Sequence, residues 1–295
     1  MSILNNQLVL DSHTVMYGVF GDPVKHSKSP LMLNRAFREN GINAAYSAYH
    51  VTADKLEAAI HGIRALGFGG VNVTIPHKLE VMPYLDHIDE GAKLIGAVNT
   101  IVNRDGQLIG YNTDGIGYVR SLKEETGFQV KDSKILLVGA GGAARGVAFA
   151  LAQESPSIIY IVNRSKERAE QLSKDIGRMV ECKCVDQWEI SDIPQMDCIV
   201  NTTSVGMHPN IDELPIKPAW MSRWLGDHTI VSDLVYNPLQ TLFLKTAVEL
   251  GARTHSGLGM FVYQGAYAFE YWTGQLSPVA VMRDVVERSF SPDSE

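Results

Sequence analysis

Long hydrophobic runs are missing from this sequence. No stretch of about 18 consecutive apolar residues occurs, so no membrane-spanning helix is expected. Cysteine is scarce: Cys182, Cys184 and Cys198 are the three in 295 residues. An odd number without framework spacing fits a reducing cytoplasm and excludes a disulfide scaffold. The Cys182-x-Cys184 pair is expected as two strand positions on opposite faces rather than half a metal site. The opening segment, MSILNNQLVLDSHT, lacks the basic stretch of a secretory leader, so a cytoplasmic location is expected. An excess of basic residues is also lacking. Lys and Arg number 26 against 33 Asp and Glu, a net charge of −7. That balance argues against a nucleic-acid or anionic-membrane partner, although local cations can still hold an anionic small molecule. The nine histidines form no H-x-x-x-H or similar pattern, so no metal site is expected. No repeat, low-complexity tract or long linker occurs.

What is present is an alternation of strand and helix patterns. With 45% apolar and 20% charged residues, the composition is that of an ordinary globular chain. Its length suits about two domains. Met16 to Phe20 reads as a short buried strand, followed by the loop GDPVKHSKSP and a helix from Leu31 to Asn40 that Gly41 stops. AAYSAYHV and GGVNVTIP read as strands. ADKLEAAIHGIRALG reads as a helix with Leu56, Ile60, Ile63 and Leu66 on its apolar face. LIGAVNTIVNRDGQLIGYN reads as a β-hairpin with Arg104-Asp105-Gly106 in its turn region. A second block opens near Lys131 and repeats strand, turn and helix through LQTLFLKTAVELGA. The apolar segment GLGMFVYQGAYAFEYWTG is expected to form a helix returning to the first block, which would make the first domain discontinuous. The expected fold is α/β: two α/β domains, each with a mostly parallel sheet.

Gly139-Ala140-Gly141-Gly142-Ala143-Ala144 fits G-x-G-x-x-A between the strand KILLV and a helix. Gly139 permits the tight turn, Gly141 lets backbone approach a pyrophosphate, and Ala144 keeps helix and sheet close. The helix N-terminus offers N–H groups and partial positive charge to phosphates. An NAD site usually carries Asp or Glu about 20 residues on, bonding the ribose 2′-hydroxyl. Here that place reads Asn163-Arg164-Ser165, with Lys166 and Arg168 after it. Arg164 can bind a 2′-phosphate through paired hydrogen bonds and stack on adenine, and Ser165 can add a hydroxyl donor. NADP is therefore the expected cofactor, and use of NAD beside it stays open.

In the first block, Lys78 closes the stretch Asn72-Val73-Thr74-Ile75-Pro76-His77-Lys78, where the edge of a buried strand would face it into a crevice. Alone, a surface lysine explains it as well. Asp114 in GYNTDG alone reads as a turn residue or helix N-cap. Ser27 and Ser29 alone read equally as loop caps.

Taken in order, GDPVKHSKSP, NVTIPHK, GAVNT, GYNTDGIG, VGAGGAAR, NRS, NTTSVGM, DLVYNP and GLGMFVYQGA resemble the shikimate dehydrogenase family over almost the whole chain. The resemblance implies a substrate-binding domain over residues 1–116, completed by 257–295, and a Rossmann-type NADP-binding domain over 117–256. In this family the active site lies in the cleft between them. It implies Lys78 and Asp114 as the catalytic pair. Ser27 and Ser29 match hydroxyls that bind the substrate carboxylate, and Thr74, Asn99 and Gln264 match residues that bond ring hydroxyls. Tyr236 matches another substrate-side position. Gly141, Gly142, Ala143, Asn163, Arg164 and Arg168 match the cofactor site, and Met260, after Gly257 and Gly259, matches a contact to the nicotinamide. Leu33 departs from the family's frequent His and reads as a structural position.

The implied reaction is the NADP-dependent, reversible reduction of 3-dehydroshikimate to shikimate. Alternatives are a quinate/shikimate dehydrogenase using NAD and NADP, and a non-catalytic NADP-binding regulatory relative, which would need neither Lys78 nor Asp114. A glutamyl-tRNA reductase-like or folate dehydrogenase-like enzyme would not need HSKSP followed by NVTIPHK. A homodimer is the assembly allowed for, and the residues before Tyr17 receive no role.

Overall fold

The computed structural model describes residues 10–185 and 193–290. The first nine residues of the opening segment lie outside them. The described residues fall into two compact units. The first belongs to Met1–Lys93, Ala97–Tyr111 and Gly265–Glu295, and the second to Leu94–Gly96 and Asn112–Gln264.

The first unit is built on β1 (Val15–Gly21), β2 (Ala44–His50), β3 (Gly70–Val73), β4 (His87–Ile88), β5 (Thr100–Arg104) and β6 (Gln107–Tyr111), in the order β2-β1-β3-β5-β6-β4. The first three strands pair in parallel, and β5 runs antiparallel to β3 and β6. The hairpin appears where expected. Arg104 closes β5, and Asp105 and Gly106 form a two-residue turn with φ of 51° and 88°. Two positive φ values match the right-handed twist of the flanking strands.

Side chains alternate across the first sheet as the strand period requires. On one face, Phe20, Val71, Val73 and Ile101 pack with Leu56, Ile60 and Ile63 of α2 (Leu56–Ala65). On the other, Tyr17 stacks on Phe37 of α1 (Ser29–Glu39), with ring centroids 5.1 Å apart. Leu33 is fully buried in α1, so an apolar side chain suits that position. Leu66, expected on the apolar face of α2, is 74% exposed. It caps the helix beyond its last turn, where the periodicity no longer applies. β3 also ends earlier than expected, at Val73. Thr74 to Glu80 turn away, so Lys78 sits in a turn beyond the strand rather than at its edge. Between this turn and β5 lies α3 (Glu90–Ile95), an element the sequence pattern did not reveal.

The second unit holds α4 (Asp114–Thr126) and six parallel strands: β7 (Lys134–Val138), β8 (Ile158–Val162), β9 (Cys182–Cys184), β10 (Met196–Asn201), β11 (Leu225–Asp233) and β12 (Arg253–His255). Their order is β12-β11-β10-β7-β8-β9. Counted from β7, that is the doubly wound 3-2-1-4-5-6 order of dinucleotide-binding sheets, and it reverses between β7 and β10. Covering helices include α5 (Gly142–Gln153), α6 (Lys166–Ile176), α7 (Pro218–Trp224) and α8 (Leu242–Glu249). Leu136, Ile199, Val231, Trp224 and Phe243 meet in one of its cores. Cys182 and Cys184 do not face opposite ways. Positions two apart in a strand share a face, and both are half-buried while Lys183 between them is exposed.

The apolar segment forms α9 (Gly257–Thr273), followed by α10 (Val279–Arg288). The first residues of α9 belong to the second unit, and from Gly265 on it belongs to the first. There Trp272 donates its indole N–H to the carbonyl of Ile101 at 2.9 Å, and Phe269 lies 5.4 Å from Phe37. Among the described residues, no helix is long and apolar enough to cross a membrane.

The helices α4 and α5 meet through glycine. A Cβ at Gly115 would stand 2.1 Å from the Gly146 carbonyl oxygen and 2.8 Å from the Ala150 Cβ. Gly115→Ala therefore forces two helix backbones apart. It should lower unfolding free energy by roughly 1–3 kcal/mol, read as a lower urea midpoint at unchanged slope. An unchanged midpoint would show that α4 is free to shift.

Candidate active site and dinucleotide site

In open α/β sheets ligands sit beyond the carboxyl ends of the strands, at the point where strand order reverses. Here that point is the end of β7. Gly139 follows it with φ +117°, a conformation that favours glycine, and its N–H bonds the Val162 carbonyl at 2.8 Å. A Cβ on Gly139 would lie 2.5 Å from Thr202 Oγ1. Gly141 is the N-cap of α5 and supplies no side-chain cap to the first helical N–H groups. A Cβ built there meets no protein atom within 4 Å, so the space in front of the helix is open. Gly142 and Ala143 open the helix half-buried, and Ala144 is fully buried against the sheet. An uncapped helix start behind an open glycine cradle suits a pyrophosphate.

The end of β8 carries the second part of the site. Asn163 donates its amide to the Ser165 carbonyl at 2.9 Å. Ser165 is the N-cap of α6: its hydroxyl accepts from the Arg168 N–H and donates to Glu167 Oε2 at 2.8 Å. The serine proton expected for a phosphate is thus directed to Glu167. Arg164 and Arg168 are exposed. The residues present suit NADP: the cradle is open, α5 is uncapped, and an arginine occupies the place of the NAD-type carboxylate.

Further along the second sheet, Tyr236 stacks on Phe261 with centroids 4.4 Å apart, and burial pushes its hydroxyl up to about 12. Gly257 starts α9 against the backbone of Leu234 and Val235, and Met260 is buried one turn later. Gln264 donates to the Phe261 carbonyl at 2.8 Å. Asp114 is buried as the first residue of α4, and its N–H bonds Asn112 Oδ1 at 3.2 Å. An acidic side chain in the first turn also complements the helix dipole.

In the first unit, two of the expected substrate residues, Ser29 and Asn99, lie on one buried polar row, while Ser27 and Thr74 are half-buried outside it. Ser29 begins α1, and its N–H is accepted by Ser27 Oγ at 3.2 Å. The Ser29 hydroxyl bonds the Tyr46 hydroxyl, which burial holds well above its ordinary range despite that bond. Tyr46 donates to Asn72 Oδ1 at 2.8 Å. Asn72 donates to the Asn99 carbonyl at 3.2 Å and to Thr100 Oγ1 at 3.1 Å, and Thr100 donates to Asn99 Oδ1 at 3.0 Å. Strand pairing explains the row, since Tyr46 pairs through Tyr17 on β1, and Asn72 stands opposite both Val19 and Thr100. Among the described residues, no buried side-chain nitrogen or oxygen lacks a hydrogen-bond partner.

Thr74 receives the His77 N–H and gives its own N–H to Phe20, which shapes the turn that carries Lys78. His77 is buried with Nε2 2.6 Å from the Val51 carbonyl, so Nε2 is the protonated nitrogen. Lys78 is half-buried, and its carbonyl accepts the Val98 N–H at 2.8 Å. Ser29 and Asn99 are thus brought together through Tyr46, Asn72 and Thr100. Lys78 belongs to the first unit, and Asp114, Tyr236, Met260 and Gln264 to the second. Sequence reasoning missed Tyr46, Asn72, Thr100 and His77. A polar Asn72 between two valines of a buried strand was the available signal.

At the end of β11, Asp233 is fully buried and accepts from Thr241 Oγ1 at 2.7 Å, Asn201 Nδ2 at 2.9 Å and the Val235 N–H at 3.0 Å. Burial outweighs these bonds and pushes its carboxyl up to about 6.

Family models match along the chain: "Shikimate dehydrogenase substrate binding domain" over residues 19–101, "Shikimate / quinate 5-dehydrogenase" over 121–226, and "Shikimate 5'-dehydrogenase C-terminal domain" over 257–287. The shikimate dehydrogenase (NADP(+)) of Geobacillus sp. (strain WCH70) is 50% identical over 272 residues, spanning 92% of this chain and 97% of that one. A crystal structure of a shikimate dehydrogenase in complex with NADP+ superposes with a TM-score of 0.87 at 45% identity, covering 96% of this chain and 98% of its own. The Thermus thermophilus enzyme, in complex with NADP(H) and shikimate, gives 0.84 at 33% identity over 94% of this chain and all of its own.

The raised Asp233 carboxyl has a stability signature. Between about 4 and 6 the folded state keeps a proton that the unfolded state has released, so this group's contribution to stability falls as pH rises through that window. Asp233→Asn removes the titration. Relative to the unmodified protein, the variant should gain about 2 kcal/mol between pH 4.5 and 7.5. Urea unfolding at both pH values measures it, and a pH-independent difference would contradict the burial assignment.

Proposed function

The chain belongs to the shikimate dehydrogenase family, and from that premise we propose that it reduces the ring ketone of 3-dehydroshikimate to shikimate, reversibly and with NADPH. The observation that carries this reading is the uncapped start of α5 behind an open Gly141, with Arg164 rather than a carboxylate at the end of β8. When bound, the cofactor supplies a hydride to the ketone carbon. The remaining tasks fall to side chains. As the carbon is reduced, the ketone oxygen gains negative charge and must gain a proton. The Lys78 ammonium stabilises that charge and donates the proton, and Asp114 is the second member of the catalytic pair, sharing in the proton movement. In the reverse direction the pair removes the alcohol proton.

Ser27 and Ser29 hold the substrate carboxylate, Thr74, Asn99 and Gln264 bond ring hydroxyls, and Tyr236 adds a substrate-side contact. The row from Ser29 to Asn99 supports this assignment, because side chains with locked partners lose little freedom when substrate binds. Gly139, Gly141, Gly142 and Ala143 receive the pyrophosphate. Asn163, Arg164 and Arg168 receive the adenosine 2′-phosphate, with Ser165 serving as the cap of α6, and Gly257 and Met260 take the nicotinamide side. In this reading, residues 1–116 with 257–295 form the substrate domain and 117–256 the cofactor domain, whereas in the fold 112–116 and 257–264 group with the second unit. The same proposal includes a homodimer in a reducing cytoplasm, for which light scattering should give twice the chain mass.

Two substitutions test the roles separately. Lys78→Ala should reduce kcat by roughly 10²–10⁴-fold while leaving the NADPH dissociation constant within about twofold. Near-normal turnover would remove Lys78 from the chemistry. Arg164→Ala should raise the KM for NADPH by about tenfold or more and spare that for NADH. Equal loss with both cofactors would contradict the phosphate assignment.

A further inference from the structure

Three polar side chains at the carboxyl edge of the second sheet are buried completely: Asn201, Asp233 and Thr241. Their bonds form a clamp across two loops. Asn201 Oδ1 accepts from the Thr203 N–H at 3.0 Å and the Thr203 hydroxyl at 2.7 Å. Its amide nitrogen donates to the Val205 carbonyl at 3.2 Å and to Asp233 Oδ1 at 2.9 Å. The same carboxylate oxygen takes the Val235 N–H, and the other takes the Thr241 hydroxyl. Thr241 Oγ1 in turn caps α8 by accepting the Leu244 N–H at 3.3 Å. The main chain adds a bond from the Leu234 N–H to the Asn201 carbonyl at 3.0 Å, and one from the His208 N–H to the Asn237 carbonyl at 3.0 Å.

An apolar core would hold these strands at lower cost. A buried carboxylate is an expensive group, tolerated where its hydrogen bonds do something packing cannot. What these bonds do is fix backbone direction in loops 202–207 and 234–241. The first loop meets the glycine turn directly, because Thr202 bonds the Val138 carbonyl through its N–H and hydroxyl and crowds Gly139. The second loop carries Tyr236 and presents Leu234 and Val235 to Gly257 at the start of α9.

Both loops follow β10 and β11, on the opposite side of β7 from β8 and Arg164. A dinucleotide lying across the reversal point of such a sheet places one nucleotide over each side. Since the 2′-phosphate belongs at Arg164, the other half belongs over β10 and β11. We propose that Asn201 and Asp233 are positioning residues for the nicotinamide half of the cofactor, acting through the two loops that their side chains clamp. The proposal rests on the reading of the second unit as the NADP-binding domain. Neither residue need touch the ligand. Asp233 must accept three bonds at once, a task an ionised carboxylate performs and an amide does not.

The test compares NADPH with adenosine 2′,5′-bisphosphate, which keeps the adenosine and 2′-phosphate and lacks the nicotinamide. Calorimetric dissociation constants are measured for the unmodified protein, Asp233→Asn and Thr241→Val, with urea unfolding on each. Both variants should bind NADPH about tenfold more weakly. Binding of the bisphosphate should stay within about twofold, and Thr241→Ser should restore NADPH binding. Equal weakening of both ligands would reduce the clamp to general stability and overturn the proposal, as would unchanged NADPH binding in a folded variant. If Asp233→Asn fails to fold, the pair Thr241→Val and Thr241→Ser decides on the same criteria. Binding of neither ligand by the unmodified protein would overturn the NADP reading and this proposal with it.

Discussion

The second unit depends on backbone coming close to backbone and ligand where side chains would intrude. Gly139 turns the chain at a φ that other residues adopt with strain, Gly141 leaves the helix start open, and Gly115 lets α4 lie against α5. These three absences of a Cβ present the uncapped N–H groups of α5 at the reversal point of the sheet, an arrangement of donors and partial positive charge that suits a pyrophosphate. Buried Asp114 stands next to Gly115, so the contact that brings the two helices together also fixes the start of α4.

The first unit handles polarity by a different route. Its sheet has an apolar face against α2, while the opposite face carries the hydrogen-bonded row from Ser29 to Asn99. Burying that many polar groups is tolerable only because each is partnered, and a partnered row is rigid. Rigidity is what recognition of a small polyhydroxylated ring demands, since every hydroxyl must meet a group already in place. The Asn201–Asp233–Thr241 cluster follows the same logic in the second unit, where the groups held in place are loops.

Much of this was legible in the residues. The strand, glycine turn and helix around Gly139, the hairpin turn at Asp105-Gly106, and the stop at Gly41 are local signals that need no tertiary context. What escaped was set by long-range pairing. Nothing local shows that Tyr46, Asn72 and Thr100 come into one row, because that depends on strand register across three loops. The short β4 and α3 carry too few residues for a period to emerge. Leu66 continues the apolar period past the end of its helix, and Cys182 and Cys184, two apart in a strand, share a face. Lys78 was read at a strand edge because the β pattern of NVTIP runs on after the hydrogen bonding stops at Val73. Ser165 was read as a donor to phosphate, whereas α6 takes it as a cap and Glu167 takes its proton.

Initial rates with shikimate or quinate, each with NADP+ or NAD+, decide whether this chain pairs one substrate with one cofactor. The expected result is the highest kcat/KM for shikimate with NADP+. A higher value for quinate, a preference for NAD+, or no turnover in any of the four combinations would contradict it.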